Sequence, residues 1–317
     1  MAKTFTVSST PHVRSKESIN SIMRDVFIAL LPATVVGIIN SGALMANSIV
    51  ITLVSIFACI FFEFMWQKLR HEKITISDMS AAVTGLLLAM NMPASAPVWM
   101  PIVGAGFAIL ICKQLFGGLG QNFINPALAG RAFLLASYPT LMTNWAGTKF
   151  YDAVSAATPL AQLKTGVGAM TYTTMDAFLG RVPGALGEVC ALALIIGGVY
   201  LLVRKVISWR IPVIYIAVVF VLTAALGRTG GRVPVYEICS GGLMLGAFFM
   251  ATDYVTSPVT PKGQMLFAVG CGVLTAFIRK WGGYPEGVSY SILIMNLLVP
   301  LIDKNTRPKI FGEVKKA

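Results

Sequence analysis

Charge is what this sequence has least of. Asp, Glu, Lys and Arg together make up 12% of its 317 residues, about half the share usual in a water-soluble chain. That scarcity excludes an ordinary soluble domain, because the polar surface needed to keep one in solution is missing. Histidine is nearly absent as well. His12 and His71 both sit in basic, polar segments, so a haem held between two imidazoles inside a membrane is excluded. The cysteines, Cys59, Cys112, Cys190, Cys239 and Cys271, stand alone in apolar runs with no Cys-x-x-Cys pair. They leave no iron–sulfur or zinc ligand set and suit small buried hydrophobes. No metal-ligating cluster and no side-chain catalyst is expected, so any redox work falls to an organic cofactor.

What is present is apolar. Hydrophobic residues make up 56% of the chain and the mean hydropathy is +0.75. They fall into blocks of about 16 to 23 residues, the length a helix needs to cross the hydrocarbon core of a bilayer. Spans are expected at residues 25–39, 44–66, 79–92, 98–115 and 126–138, and again at 186–203, 211–226, 238–251, 264–278 and 288–302. The third, fifth and eighth are short and predict tilted or broken helices. The expected class is an all-α integral membrane protein of about ten transmembrane helices.

The net charge of +12 does not point to nucleic acid, because Lys and Arg form no basic helix face and no aromatic-interleaved patch. Positive charge beside membrane spans instead reports topology. Residues 1–24 are polar, carry Lys3, Arg14, Lys16 and Arg24, and hold no cleavable signal peptide. With both termini in the cytoplasm, the loops 68–73 and 204–210, Lys113, Lys262 and the tail 304–317 collect on one side. A multi-pass protein of the cell (inner) membrane is the expectation. Residues 25–138 form a first membrane repeat, 139–185 an extracytoplasmic loop rich in Thr, Ala and Gly, and 186–303 a second repeat.

The repeat rests on two matches. Gly85-Leu86-Leu87-Leu88-Ala89 recurs as Gly242-Leu243-Met244-Leu245-Gly246, and Phe116-Gly117-Gly118 recurs as Trp281-Gly282-Gly283. An odd number of spans in each half makes the halves inverted five-helix repeats, an architecture that places binding sites at their interface.

Few residues can carry chemistry. The run Phe116 to Ala127 is a Gly-rich stretch leading into a helix that begins near Pro126. It reads either as a tight turn or as a re-entrant loop whose helix N-terminus, beside Asn125, faces an anion or a polar ring. It is not a dinucleotide fingerprint, because the glycine spacing is wrong. Arg131 falls one turn into that helix, Glu63 lies within the second span, Asp253 near the end of a later one, and Glu286 follows Tyr284-Pro285. Each is a paired structural charge or part of a cation or proton path, since charge at membrane depth is expensive. Asp152-Ala153-Val154-Ser155-Ala156-Ala157-Thr158 lies in the polar loop. Its small residues leave a hydroxyl open to modification without saying by what.

Several of these stretches together resemble one family. They are Gly117 to Pro139, Asp152 to Thr158, Ala251 to Gly263 with Pro258-Val259-Thr260-Pro261-Lys262-Gly263, and Gly283-Tyr284-Pro285-Glu286-Gly287. Ser9-Thr10-Pro11-His12-Val13-Arg14 and Leu30-Leu31-Pro32-Ala33 fit as well, as do Asn296-Leu297 and Pro300-Leu301-Ile302-Asp303. The chain resembles, over nearly its whole length, the family of the D subunit of Rnf complexes and the B subunit of sodium-pumping NADH:quinone reductase. The short N-terminal segment favours the Rnf branch.

The resemblance implies a membrane subunit that relays electrons in a complex coupling ferredoxin:NAD oxidoreduction to sodium or proton movement, with other Rnf subunits as partners. The isolated chain is then inactive. In that family a flavin transferase attaches FMN through its phosphate to a Thr hydroxyl. Asp152, Ser155, Ala157 and Thr158 match the fixed positions of the acceptor motif, with Ala156 where Gly is usual. Thr158 is the implied attachment site. The resemblance also implies a non-covalent riboflavin, which the sequence does not locate. Asn125, Arg131, Asp253 and Glu286 are candidates for flavin contacts or a coupling path. The rival expectation is an inverted-repeat transporter or channel for a small solute. A third is a scaffold subunit that has lost its flavin.

Overall fold

The computed structural model describes residues 18–145, 158–165, 172–226 and 234–308. Among them the chain is helical, with no strand. Helix α1 (Ile19–Asn40) begins earlier than the apolar pattern predicts. The Ser18 hydroxyl accepts the Ser21 N–H at 3.2 Å, and the Ser21 hydroxyl accepts the Ser18 N–H at 3.0 Å. Two polar residues thus start the helix by satisfying its free N–H groups. The first half continues with α2 (Met45–Leu69), α3 (Ser80–Met90) and α4 (Trp99–Gly106), which runs on as a π-helical stretch to Gln114. It ends with α5 (Pro126–Ser137). The polar loop then supplies three short helices, α6 (Pro139–Met142), α7 (Pro159–Thr165) and α8 (Thr174–Leu179).

The second half holds α9 (Ala191–Val203), α10 (Arg210–Ala225), α11 (Pro234–Cys239), α12 (Leu243–Leu245), α13 (Pro261–Trp281) and α14 (Val288–Thr306). Helix α12 passes into a π-helical turn at Gly246–Met250. Three spans are long and apolar enough to cross a membrane by length and composition: α1, α2 with its leading turn, and α13. Of the shorter apolar helices, α4, α9 and α10 also leave large apolar side chains exposed, among them Ile102, Val203 and Val221. Every residue of α3 is buried, as a helix that is apolar all round requires.

The span expected at 238–251 is not one helix. It breaks between α11 and α12, where Gly241 takes φ +72, and the flanking residues are buried in protein. Irregular backbone at membrane depth is tolerated only where neighbouring protein satisfies it. Here Arg279 of α13, fully buried, donates to the Glu237 carbonyl at 2.8 Å and to the Glu286 carbonyl at 3.1 Å. Arg279 and Lys280 are both basic residues of the last turn of α13. The structure keeps Lys280 exposed and spends Arg279 on the broken helix.

The halves pack in parallel ways. Helix α2 lies on α3 and α4, and α4 with its extension lies on α5; likewise α10 lies on α13, and α13 on α14. Between the halves α1 meets α9 and α5 meets α14. The first of these contacts is close enough to require glycine. A Cβ on Gly37 of α1 would stand 2.0 Å from the Leu186 carbonyl oxygen, and one on Gly197 of α9 would stand 2.1 Å from the Ala29 carbonyl oxygen. One apolar core spans both halves and includes Leu86 and Leu128 of the first and Leu194, Tyr215, Phe267 and Ile292 of the second.

Candidate functional site

Arg131 is held by helix α5, whose start is built from two residues. Pro126 takes the first helical position, and the Asn125 carbonyl oxygen of the side chain accepts the N–H groups of Ala127 (3.0 Å) and Leu128 (3.3 Å). The Gly-rich stretch before it is a tight turn, with φ of +111, +88 and +92 at Gly117, Gly118 and Gly120. Asn125 itself occupies the α5 terminus, and its Nδ2 donates to the Met250 carbonyl of the second half at 3.3 Å.

One turn on, Arg131 is 6% exposed. Its Nη1 donates to Asn91 Oδ1 and to Glu188 Oε1, both at 2.7 Å, and its Nη2 donates to the Glu286 carboxylate. Glu188 lies in the bend before α9, and Glu286 in the turn before α14. A first-half cation is thus clasped by two second-half carboxylates, with good hydrogen bonds on each contact. A buried charge requires such partners.

Thr158 stands at the head of α7 and is 5% exposed. Its hydroxyl accepts the Ala161 N–H at 3.3 Å. It lines a narrow cavity together with Val182, Gly184, Gly241 and the carboxylates Glu188 and Glu286. On the other side of the Arg131–Glu286 pair is an apolar slot walled by Leu135, Met142, Trp145, Tyr284 and Tyr290. The two tyrosine rings stack with centroids 5.5 Å apart and planes 23° apart. The structure therefore brings Thr158 to the two carboxylates, Glu188 and Glu286, that bind Arg131. Asp152, Ser155 and Ala157 lie outside the described residues.

Asn125 and Asp253 belong elsewhere, to a larger inner cavity between the halves. Its apolar walls include Val26, Leu87, Phe248 and Phe249, and its polar groups are Ser80, Thr84, Lys113, Asn122, Asn125 and Asp253. Asp253 accepts the Thr256 hydroxyl at 3.0 Å. Glu63 is paired with Lys113, whose Nζ lies 2.8 Å from Glu63 Oε2. Sequence reasoning missed Glu188, Asn91 and Lys113 as site residues. Glu188 did carry a signal, a lone acid at the start of an apolar span. Among the described residues no cluster of His, Cys, Asp and Glu could hold a metal ion.

A profile described as the NQR2, RnfD, RnfE family matches residues 6–312. The chain belongs to that family. A similar relative is the D subunit of the Na(+)-translocating ferredoxin:NAD(+) oxidoreductase complex of Acetobacterium woodii, 52% identical over 98% of this chain and 96% of that protein. The D subunit of the proton-translocating ferredoxin:NAD(+) oxidoreductase complex of Clostridium ljungdahlii is 48% identical over 97% of this chain and 96% of its own length. The D subunit of the ion-translocating oxidoreductase complex of Halorhodospira halophila is 36% identical over 96% of this chain and 95% of its own length. Family membership agrees with the resemblance carried by the motifs.

Proposed function

We propose that this chain is the membrane electron-transfer subunit of an ion-translocating ferredoxin:NAD oxidoreductase complex of the Rnf type, carrying FMN as a phosphoester on Thr158 and also a riboflavin held without a covalent bond. Its relatives at 52% and 48% identity are D subunits of such complexes. Its two halves are inverted five-helix repeats in the cell membrane, both termini are cytoplasmic, and a flavin transferase matures it. The observation that carries the reading is the placement of Thr158. The last residue of the Asp152–Thr158 motif opens into the cavity shared by the two carboxylates that hold Arg131.

The Thr158 cavity is lined by the carboxylates Glu188 and Glu286, and both of them bind Arg131. A phosphoester on Thr158 needs charge-assisted donors, and Arg131 would serve as one by leaving a carboxylate. A planar ring with a polar rim needs flat apolar walls and a few edge groups, which Tyr284, Tyr290 and Trp145 offer with Arg131 and Glu286 at their margin. Phe248, Phe249 and Leu87 line the inner cavity beside Asn122 and Asn125, whose amides are tied to the Ile124 carbonyl and to the α5 terminus. When bound, a flavin supplies electron uptake and release; the chain binds and orients it and sets the charge around it. Arg131 places positive charge at the rim of the outer slot.

The test is peptide mass spectrometry of protein co-expressed with a flavin transferase, beside Thr158→Ala. A gain of roughly 438 Da, FMN less water, on the Thr158 peptide and its loss in the variant is the expected result. Unmodified wild-type protein, with the transferase active on another substrate, would overturn the covalent flavin and return the reading to a transporter.

A further inference from the structure

A cavity of about 490 Å³ lies where three helix ends meet: the end of α9, the start of α10 and the first turn of α13. Pockets that take a small molecule span roughly 300–1,000 Å³. Leu202, Ile207 and Ile211 give it an apolar lining. Trp209 and Tyr254 stand in its wall and are 57% and 53% exposed. Just before it, the exposed Val203 gives way to Arg204 and Lys205. An apolar helix that ends in basic residues beside Trp and Tyr marks the plane where bilayer meets water. Two polar groups of the wall are set for a ligand. Lys205 is exposed and takes φ +59. Its N–H donates to the Leu202 carbonyl at 3.0 Å, and the Val206 N–H donates to the Leu201 carbonyl at 2.9 Å. Glycine usually holds this position of a helix end, and a side chain there is strained. What lysine adds is a cation at the cavity, while its neighbour Arg204 is paired with Asp25. Gln264 of α13 has a buried side-chain oxygen with no hydrogen-bond partner among the described residues. No Asp or Glu is among the described residues that line the cavity.

We propose that this cavity binds the headgroup of an anionic, hydroxyl-bearing phospholipid such as phosphatidylglycerol. Lys205 meets the phosphate, the Gln264 oxygen accepts a headgroup hydroxyl, and the acyl chains run out along the apolar surface beside Val203. A choline headgroup brings a second cation towards Lys205 and offers no hydroxyl to Gln264. Free phosphate leaves the apolar lining and the exposed Trp209 ring without an occupant. The position at the bilayer boundary is what favours a lipid over an acidic protein segment. On the topology proposed above this is the cytoplasmic side, where the leaflet is negatively charged and attracts basic groups next to a span. The headgroup also has a mechanical consequence. The Tyr254 hydroxyl donates to the Val206 carbonyl, which joins the turn after α9 to the segment before α13. A lipid held by Lys205 and Gln264 adds a second link between the same two parts.

The full chain, purified in a neutral detergent, is titrated with phosphatidylglycerol, phosphatidylcholine or inorganic phosphate, and bound lipid is counted by native mass spectrometry. Wild type takes up one phosphatidylglycerol more tightly than it takes up phosphatidylcholine. Lys205→Asn keeps a residue that tolerates positive φ and removes the charge. It weakens that first site roughly fivefold, the share of one cation at a membrane surface. Lys205→Arg retains the site, and Gln264→Leu weakens it. Should Lys205→Asn fail to fold, Lys205→Gly carries the same prediction, because glycine adopts positive φ freely. Equal phosphatidylglycerol affinity in wild type and Lys205→Asn would overturn the site. Displacement of the lipid by inorganic phosphate would overturn the lipid and leave a free-anion site. In the assembled complex, a carbodiimide cross-link from Lys205 to another subunit, with no phosphatidylglycerol retained, would make the cavity a subunit contact and overturn the proposal as well.

Discussion

Replacing Arg131 with methionine keeps an unbranched apolar stem and removes the guanidinium. Glu188 and Glu286 then face each other with no cation between them, and Asn91 loses its donor. The side chains of Arg131 and Glu188 are 8% and 2% exposed, so solvent screening is weak. Breaking a buried pair by removing one partner costs about 3–5 kcal/mol, mostly because a charge is left unpaired. Proton uptake by one of the carboxyls sets a ceiling on the loss, which places the expectation near the lower figure. For a protein of this size that corresponds to a fall in unfolding temperature on the order of 10 °C. The assay is thermal unfolding in a single detergent, followed by intrinsic fluorescence. It is run as a cycle with Arg131→Met, Glu188→Gln/Glu286→Gln and the triple variant. The triple variant recovers most of the loss, because all the charge is gone together. An Arg131→Met variant that unfolds within about 2 °C of wild type, or a triple variant no better than Arg131→Met, would refute the clasp.

Two further outcomes follow from geometry. Gly37→Ala puts a Cβ 2.0 Å from the Leu186 carbonyl oxygen, a backbone atom that cannot swing aside, whereas Gly283→Ala meets nothing within 4 Å. The first loses about 1–3 kcal/mol in the same unfolding assay and the second is neutral. Equal effects would contradict the close approach of the α1 face to the segment leading into α9. In the polar loop, the Thr173 hydroxyl and N–H hold the Asp176 carboxyl below its ordinary range. A carboxyl whose pKa is lowered on folding stabilises at pH above its unfolded value, and that contribution fades as pH falls through the lowered value. Thr173→Ala raises the pH at which pepsin first cleaves within α8; an unchanged onset would contradict the capping box.

The class of the protein was legible because composition acts everywhere at once: a chain with so little charge and such long apolar runs has few ways to fold. Thr158 could be singled out because its motif is contiguous. The partners were not legible. Arg131 could be marked as a charge that needs company, but Asn91 comes from the end of α3 and Glu188 and Glu286 from the second half, and only the packing of α5 against both selects them. Lys113 was read as a topological marker because a basic residue ending an apolar run has that meaning by default. In the fold the π-helical extension turns it inward, onto Glu63. The eighth span carried a related ambiguity. Its composition allowed one short helix, yet the break at Gly241 frees backbone carbonyls that Arg279 then satisfies.

The interface between the halves bears on which kind of machine this is. A transporter that works by rocking one repeat against the other needs that interface to slide or open. Here it is tied at both ends of α9. Before its first residue Glu188 grips Arg131 of α5, and just past its last Arg204 grips Asp25 of α1 at 3.0 Å, with Tyr200 adding a hydrogen bond to Asp25 at 3.2 Å. Helix α9 has 13 residues, so the ties stand roughly 20 Å apart. Between them, Gly197 brings α9 against the α1 backbone with no room for a methyl group. Sliding would require breaking a buried ion pair and moving backbone through backbone. Electron transfer asks for the opposite property, fixed distances between sites, and a joint stapled at both ends and close-packed in the middle supplies it. A cysteine pair placed across α1 and α9 tests this directly: cross-linking that leaves electron transfer through the complex intact fits a rigid relay, and cross-linking that abolishes it would favour a moving joint.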